Sequence, residues 1–385
     1  MFSSWNPATI LVWGGLALVF YISVGYPVLL VLVGMIRRQP RAGLGYLPTV
    51  SILIAAFNEE VSIQNKLEQT LALDYPADRI EIIVLSDGST DRTDEIVRRF
   101  SDPRVRLLRV PDRKGKTYVQ NLGVDVARGE VLIFSDATTV YDSLALQYLA
   151  CNFADPRVGA ASGRFHYFDG DETSPTGIGT IAYWTYETVI KRMQSRISTI
   201  SGCSGCIYAI RRAVYTPLCP EVISDLVQPL WAIQKGYRVV FEDRALAREA
   251  TTRSSGQEFS MRVRVVTRGM RGILSVPTLL NPFKHSWVSF QLISHKILRW
   301  LVPVFLMMVL IGSGALWHQP FYRILFVSQC AFYAFGLLTL IVPLHRVWGP
   351  LGIPLYFCTI NAAAFCSVFE AARGRKHVVW ETVRG

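Results

Sequence analysis

Charged side chains are absent from the whole stretch between Met1 and Ile36. A secretory signal peptide begins with basic residues and has a shorter apolar core, so this absence argues against a cleaved leader. At about 1.5 Å per residue, a helix over residues 8–36 exceeds the roughly 30 Å hydrocarbon core of a bilayer. The sequence therefore predicts an N-terminal transmembrane anchor within residues 1–42.

Cysteine is sparse, with 7 residues in 385, and its spacing is not that of a zinc site. Cys203 and Cys206 form one C-x-x-C pair, but the second pair that a zinc site requires is missing. The pair is better explained as two small residues in a tight, Gly-rich segment. The predicted spans also lack charged side chains near their centres, which argues against a transporter.

Acidic residues are fewer than basic ones, 29 against 40, which gives a formal net charge of +11. Much of the excess lies between Arg238 and Arg299, and residues 251–300 are predicted to form a basic interfacial segment. A basic face could hold DNA, anionic lipid headgroups or a diphosphate. Membrane attachment favours the last two, so we expect membrane lipids as partners and no nucleic acid.

Three further apolar segments cover residues 301–317, 324–343 and 351–369. We predict C-terminal transmembrane segments over residues 301–371 and a basic tail over residues 372–385. Arg37, Arg38 and Arg41 follow the first span, so the positive-inside rule puts the middle of the chain in the cytoplasm and the N-terminus outside. The expected location is the inner, or plasma, membrane of a cell, with several crossings.

The basic tail creates a difficulty for this topology. Three C-terminal crossings would leave the tail outside, yet its basic residues argue that it stays inside; they are Arg373, Arg375, Lys376 and Arg384. One apolar segment would then be re-entrant or interfacial. The short segment 301–317 is the first candidate, because Lys296, Arg299 and Trp300 precede it.

Residues 48–250 alternate apolar strands with amphipathic helices. Strands are predicted over residues 50–56, 80–85, 105–110, 131–134 and 237–241. Helices are predicted up to residue 73 and over residues 90–100, 116–128 and 225–235. Strand and helix alternating at this spacing predict an α/β fold with a parallel, doubly wound, Rossmann-like sheet.

Carboxylates follow two of these strands, Asp87 in the string Ser-Asp-Gly-Ser-Thr-Asp and Asp136 in Ser-Asp-Ala-Thr. A third acid, Asp225, follows Ile-Ser at a predicted helix start. Because open α/β sheets bind their ligands beyond the carboxyl ends of the strands, Asp87 and Asp136 are expected to face an active site.

An ordered set of short strings resembles the family 2 glycosyltransferases of GT-A fold, over about residues 50–248. The strings are Phe57-Asn58-Glu59-Glu60, Val84 to Asp91, Gly115-Lys116 with Asn121-x-Gly123, Phe134-Ser135-Asp136-Ala137, Gly205-x-x-x-Ala209-x-Arg211-Arg212 and Ser224-Asp225. Each string is weak alone, but the ordered set is specific. Membrane-embedded members of this family include synthases of cellulose, hyaluronan and poly-N-acetylglucosamine.

The resemblance implies a nucleotide-sugar donor and a divalent cation, Mg²⁺ or Mn²⁺, that offsets the charge of the departing diphosphate. Asp136 is the expected metal ligand. Many relatives have Asp-x-Asp at this point, whereas Thr138 here replaces the second acid. A solvated acid in a turn is the alternative for Asp136.

Four positions are expected to contact the donor besides Asp136. By resemblance, Glu59 and Asp87 contact the nucleobase and ribose, with the backbone of Ala55 alongside, and helix capping is the alternative for Glu59. Lys116 stands at a predicted helix N-terminus, where free N–H groups favour a phosphate. A solvated lysine is its alternative.

Asp225 is the expected catalytic base, taking a proton from the acceptor hydroxyl during direct, inverting displacement. The related motif is usually Thr-Glu-Asp, and only its last residue is kept. Capping of the following helix is the alternative role, and the two roles are compatible.

Processive relatives carry Gln-x-x-Arg-Trp at the membrane interface, and two segments here could correspond. Residues 265–269 keep only Arg268, and residues 296–300 keep Arg299 and Trp300 but come late. The first is favoured by its distance from Asp225, which puts processivity in doubt.

An acceptor or diphosphate site is expected among Arg262, Arg264, Arg268, Arg299 and Trp300, and contact with anionic lipid is an equal alternative.

The sequence thus predicts a metal-dependent, inverting hexosyltransferase of the membrane, using a nucleotide sugar, most simply a UDP-sugar, to extend a polysaccharide. One alternative is transfer of a single sugar to a polyprenyl phosphate or another lipid. A membrane scaffold with a degenerate transferase domain is the non-enzymatic alternative, and retention of Asp136 and Asp225 argues against it. Export of a polymer could need a partner subunit to complete a channel.

Overall fold

The computed structural model describes residues 6–37, 42–168, 175–250, 255–342 and 349–379. Arg38, Arg41 and Arg384, which entered the topology prediction, lie outside these ranges. Eight strands occur in the order β1 Val50–Ala56, β2 Ile80–Asp87, β3 Val105–Val110, β4 Val131–Asp136, β5 Val140–Tyr141, β6 Val158–Phe168, β7 Ile207–Arg211 and β8 Arg238–Ala250.

Apart from short 3₁₀ turns, the described residues form twelve helices. They are α1 Pro7–Ile36, α2 Ile63–Leu71, α3 Thr93–Arg98, α4 Lys116–Val126, α5 Ala145–Ala150, α6 Pro175–Ile197, α7 Ser224–Gln234, α8 Ser255–Leu274, α9 Ser286–Trp300, α10 Val302–Ala315, α11 Pro320–Ile341 and α12 Gly349–Ala372. Each predicted helix of the middle region is present, with ends shifted by a few residues.

One sheet joins all eight strands in the order β3-β2-β1-β4-β7-β6-β8-β5. The first four are parallel, with Ile52 opposite Ile82 and Ile133, as the alternation of strands and helices predicts. Beyond β4 the sheet is mixed, which the sequence does not predict. Strand β7 pairs with β4 and with β6 in antiparallel fashion, whereas β8 pairs with β6 in parallel fashion. Strand β8 is longer than predicted, and β5, β6 and β7 are not among the predicted strands.

The apolar core lies on both faces of the sheet. Ile52 of β1 packs in the same cluster as Ile63 of α2, whereas Leu53 packs with Val119 of α4. Successive side chains of a strand point to opposite faces, so a strand covered by helices on both sides must be apolar at every position. This explains why the side chains of β1 are apolar along almost the whole strand.

The N-terminal anchor α1 is one long helix, and α10 lies beside it in the opposite direction. An added Cβ at Gly15 would lie 2.8 Å from the carbonyl oxygen of Phe305, and one at Gly312 would lie 2.7 Å from that of Ala8. Both glycines therefore permit close packing of the two helices. The end of α10 reaches the beginning of α1.

Helices α9 and α10 are bent by 56° at the break between them. Near this break the hydroxyls of Tyr21 and Ser294 lie 2.7 Å apart, so the break faces the middle of α1. Helix α11 then starts beside the first turns of α1, where Trp13 stacks on Phe321 with ring centroids 5.9 Å apart. Helices α1, α11 and α12 are each long and apolar enough to cross a membrane, and the bent pair would make a fourth span if it crosses as one.

Helix α12 and the segment after it lie against the region that contains the sheet. The Nη2 atom of Arg262 in α8 donates to the Tyr356 hydroxyl at 2.8 Å. Beyond α12, Lys376 Nζ lies 2.5 Å from a carboxylate oxygen of Glu221. The described part of the tail, up to residue 379, thus contacts the region that contains the strand-end acids.

Candidate active site

The carboxyl ends of β1, β2 and β4 meet at one edge of the sheet. Ala55 of β1 is opposite Asp136 of β4, and Ala56 is opposite Ser86, directly before Asp87. The predicted convergence of these strand ends is therefore present. Parallel register alone produces it, because the three strands end at the same level.

Asp87 is fully buried and holds the loop that precedes α4. Its carboxylate accepts hydrogen bonds from the backbone N–H groups of Lys114 at 2.7 Å and Gly115 at 3.0 Å. Gly115 has a φ of 96°, which only glycine adopts without strain. A Cβ at Gly115 would clash with the Val378 carbonyl oxygen, so the described part of the tail packs against this loop.

The loops after β1 and β2 are tied together by side chains. The N–H of Glu59 donates to the Thr93 hydroxyl at 2.8 Å, and the N–H of Glu60 donates to Asp91 at 3.0 Å. Asp91 also accepts from the N–H of Thr93 at 3.0 Å. The backbone at Glu59 is therefore fixed near Ala55, where the donor is expected.

Lys116 is paired with Asp136 through Nζ and Oδ1. Burial acts to lower the pKa of Lys116, but the Asp136 carboxylate outweighs burial and raises the pKa above its ordinary value. Lys116 therefore remains an ammonium ion at the N-terminus of α4. The first turn of α4 and the end of β4 form one continuous polar site.

Asp225 lies in the first turn of α7 and faces the same site. Burial raises the pKa of its carboxyl, whereas Lys116 and Lys191 act to lower it. Its Oδ1 atom is buried and has no hydrogen-bond partner among the described residues. The capping alternative is wrong, because Ile223 is the N-cap residue and the helix start has no side-chain cap.

The chain resembles known proteins in sequence and in fold. Residues 51–218 match the family model described as Glycosyl transferase family 2. These residues are a family 2 glycosyltransferase domain. The predicted resemblance and the GT-A fold are thereby confirmed.

Two curated relatives resemble the chain in part. The probable glycosyltransferase YdaM of Bacillus subtilis is 34% identical over 187 residues, 46% of this chain and 44% of YdaM. The poly-beta-1,6-N-acetyl-D-glucosamine synthase of Staphylococcus aureus is 26% identical over 246 residues, 62% of this chain and 59% of the synthase. The chain thus spans about half the length of the curated relatives it matches.

A solved structure resembles nearly the whole chain. It is the mannosyltransferase PcManGT from Pyrobaculum calidifontis, determined in complex with GDP-Man and Mn²⁺. The likeness covers 96% of this chain and 100% of that chain, with a TM-score of 0.72 and 20% sequence identity. At this identity the likeness shows the fold alone.

The family 2 domain departs from Asp-x-Asp at Thr138, and the structure brings another acid to that point. The Thr138 hydroxyl donates to Oε1 of Glu249 at 2.6 Å. Carboxylate and hydroxyl oxygens are the donors that Mg²⁺ and Mn²⁺ prefer, so the residues present fit a hard divalent cation. Within the described residues there is no group of three or more His, Cys, Asp or Glu side chains that could hold a metal by itself, so most ligands would come from phosphate and water.

The two segments compared with Gln-x-x-Arg-Trp meet in the structure. The Trp300 ring contacts Gly269, where an added Cβ would lie 3.2 Å from the ring. The neighbouring Arg268 donates to the Thr117 hydroxyl at 3.0 Å and to the Val222 carbonyl at 2.6 Å. Arg268 and Trp300 thus lie near each other, beside the start of α7.

The other members of the predicted basic group lie elsewhere. Arg262 pairs with Glu258 at 2.7 Å, and Arg299 pairs with the buried Glu187. Both guanidinium groups stack on Tyr183, at 4.5 and 4.8 Å from the ring centroid. Arg262 and Arg299 are therefore committed to internal contacts, and Arg264 has a partner of its own.

Sequence reasoning missed three residues near Asp136 and Asp225. Lys191 of α6 is buried beside Ser204, to which it donates at 2.9 Å. Lys66 of α2 donates to the Thr139 carbonyl at 2.7 Å, directly behind the Asp136 loop. Neither lysine belongs to a motif, and Glu249 follows a run that the sequence does not mark as a strand. Only the folded sheet brings these side chains to the site.

Proposed function

We propose that this chain is an integral membrane glycosyltransferase that moves a sugar from a nucleoside-diphosphate donor to an acceptor hydroxyl with inversion. The observation that carries the proposal is the placement of Lys116. Its ammonium is paired with Asp136, and its charge also acts on the pKa of Asp225. One ammonium group thus interacts with both acids, which we assign to the departing diphosphate and to the attacking hydroxyl.

Asp225 is assigned as the base. The acceptor hydroxyl attacks the anomeric carbon, its proton passes to an Asp225 carboxylate oxygen, and the bond from that carbon to the diphosphate oxygen breaks. Burial raises the pKa of Asp225, which makes it a stronger proton acceptor than a solvated carboxylate. Its Oδ1 atom has no hydrogen-bond partner among the described residues, and the acceptor hydroxyl would supply one.

Asp136 would hold Mg²⁺ or Mn²⁺, with Ala55 and Glu59 beside the nucleoside and the buried Asp87 behind them. When bound, the cation offsets the negative charge that develops on the departing diphosphate. Lys116 contributes a second positive charge at the helix N-terminus, where the backbone N–H groups also favour an anion. Asp87 acts by fixing the backbone at Lys114 and Gly115.

The acceptor proposed first is a growing polysaccharide, as the name of the S. aureus relative suggests. Transfer of one sugar to a lipid phosphate is the second candidate, and one observation favours it. Lys191 and Lys296 are both close enough to interact electrostatically with Asp225. Two cations at the base would suit an acceptor that carries a phosphate. UDP is the first donor nucleotide to test.

The proposed topology has the domain on the cytoplasmic side of the inner membrane. Helix α10 runs back along α1 as far as Ala8, so the bent pair is assigned as a crossing, and α11 as the return. Helix α12 contacts α8, and the tail beyond it contacts Glu221. We therefore assign α12 as interfacial, in place of residues 301–317, which keeps the basic tail inside.

The test uses full-length protein in membranes with labelled nucleotide sugars and Mn²⁺. Wild type should release nucleoside diphosphate with one donor, and Asp225→Asn should abolish transfer while it still binds that donor. The anomeric configuration of the product should be opposite to that of the donor. Unchanged turnover of Asp225→Asn would remove Asp225 as the base. Products of lipid-phosphate and oligosaccharide acceptors, assayed separately, decide between the two acceptor classes.

A further inference from the structure

Thr138 stands where many family 2 enzymes have the second acid of Asp-x-Asp, and it does not point to empty solvent. Its hydroxyl donates to Glu249 at 2.6 Å, a short and well-formed hydrogen bond. Glu249 belongs to β8, far away in the sequence. The Glu249 carboxylate therefore lies next to Thr138, the position where many family 2 enzymes have the second acid.

Sheet pairing explains how Glu249 arrives there. Strand β5 directly follows the Asp136 loop and pairs with β8 in antiparallel fashion, with Val140 opposite Arg248. The next residue of β8 is Glu249, so the register brings it level with Thr138 and Thr139. A fixed register between these strands thus determines the position of the carboxylate.

The buried Lys66 ammonium interacts electrostatically with both Asp136 and Glu249. This ammonium is bonded to the Thr139 carbonyl at 2.7 Å. Burial lowers the pKa of Lys66 to about 8, and the Asp136 and Glu249 carboxylates both act against this. The two acids also act together on the buried Cys206 thiol. Since Asp136 begins this loop and Glu249 accepts a hydrogen bond from Thr138 within it, both carboxylates lie around the same short loop.

We propose that Glu249 supplies the second carboxylate of the divalent-cation site, with Asp136 as the first and Thr138 as a positioning residue. The inference rests on the proposed function, because the cation is the one that binds the donor diphosphate. Two carboxylates match the charge of Mg²⁺ or Mn²⁺, and phosphate and water oxygens would complete the coordination. Thr138 acts by orienting the Glu249 carboxylate through its hydroxyl.

The experiment measures Mn²⁺ binding to purified full-length protein by electron paramagnetic resonance, with saturating UDP and, separately, GDP. Glu249→Gln should weaken Mn²⁺ binding by about tenfold or more, since loss of one ligand or its support commonly costs this much. Adding Thr138→Asp to Glu249→Gln should restore most of the affinity, because it returns an acid to the same place. Asp142→Asn is the matched control, since Asp142 pairs with Arg248 on the same sheet edge at 3.2 Å.

Wild-type affinity in Glu249→Gln would overturn the inference, as would failure of Thr138→Asp to restore binding. If Glu249→Gln does not fold, Thr138→Val decides, because it frees Glu249 from its orienting bond and should weaken Mn²⁺ binding severalfold. Unchanged affinity in Thr138→Val would then count against the inference. If wild-type protein turns over a donor and Glu249→Gln binds Mn²⁺ with wild-type affinity, only the proposed role of Glu249 is refuted. Wild-type protein that neither binds Mn²⁺ nor uses any donor refutes the proposed function as well.

Discussion

Gly205 lies directly against the carboxylate of Asp225. An ideal Cβ at Gly205 would fall 2.5 Å from Asp225 Oδ2. Real Cβ atoms do not approach an oxygen so closely, so any other residue at Gly205 must displace the carboxylate. The glycine of the motif Gly-x-x-x-Ala-x-Arg-Arg is therefore explained by the position of the proposed base.

Gly205→Ala should lower turnover by roughly a hundredfold, because a displacement of about 1 Å at a catalytic group costs this much. Binding of the donor nucleotide should change little. Gly256→Ala is the control, because an added Cβ there meets nothing within 4 Å. Release of nucleoside diphosphate measures turnover, and a Gly205→Ala enzyme as active as the control would contradict the assigned position of the base.

The raised pKa of Asp225 predicts how stability depends on pH. Folding favours the protonated carboxyl, so its stabilising effect is present below the ordinary value of 3.8 and is lost as pH rises through the folded pKa. Asp225→Asn should therefore unfold at a higher temperature than wild type at neutral pH, and the difference should vanish in acid.

Asp155→Asn is the control, because it should change the unfolding temperature at neutral pH in the opposite direction. A hydrogen bond from Arg157 lowers the pKa of Asp155, so this carboxylate favours the folded state at neutral pH. Replacement of Asp155 should lower the unfolding temperature at neutral pH. Thermal unfolding monitored by intrinsic fluorescence across pH measures both variants, and two shifts of equal sign would refute the burial argument.

Lys116→Met should weaken binding of the donor nucleotide by about tenfold or more, because a hydrogen bond to a charged group is worth about 1.5–3 kcal/mol. Lys114→Met is the matched control, since Lys114 is exposed and contributes its backbone N–H to Asp87. Titration of UDP or GDP into each variant measures the effect. Equal affinities in the two variants would mean that the pairing of Lys116 with Asp136 has no bearing on the donor.

The proposed topology predicts the accessibility of two engineered cysteines. Gln319→Cys, between α10 and α11, should react with a membrane-impermeant maleimide added to intact cells or spheroplasts. Lys376→Cys should react only after the membrane is opened, because Lys376 pairs with Glu221 of the catalytic domain. The exposed Cys219 and Cys366 are first replaced by serine. Protection of residue 319 in intact cells would make the bent pair re-entrant instead of a crossing.

The first half of the catalytic domain was predictable because its elements are local and strongly patterned. Runs such as residues 50–56 are apolar except at Ser51, and each is followed by polar residues and an amphipathic helix. The acids Asp87 and Asp136 were located by the same pattern, since the end of a parallel strand is a fixed place in the sheet. The second half was less predictable. Strand β6 contains Gly159 and Gly163 and other small residues, and β8 is strongly charged, so neither has the alternation of a typical strand.

The sequence by itself determined a membrane anchor, a Rossmann-like domain and the identity of the acids, because hydrophobic runs and strand ends depend on neighbours in the chain. Only the tertiary structure decided which distant side chains surround those acids. Glu249 reaches Thr138 through the pairing of β5 with β8, Trp300 reaches Gly269 through the packing of α9 on α8, and Lys376 reaches Glu221 after α12. Such contacts depend on sheet register and helix packing, which bring together residues that no local pattern relates.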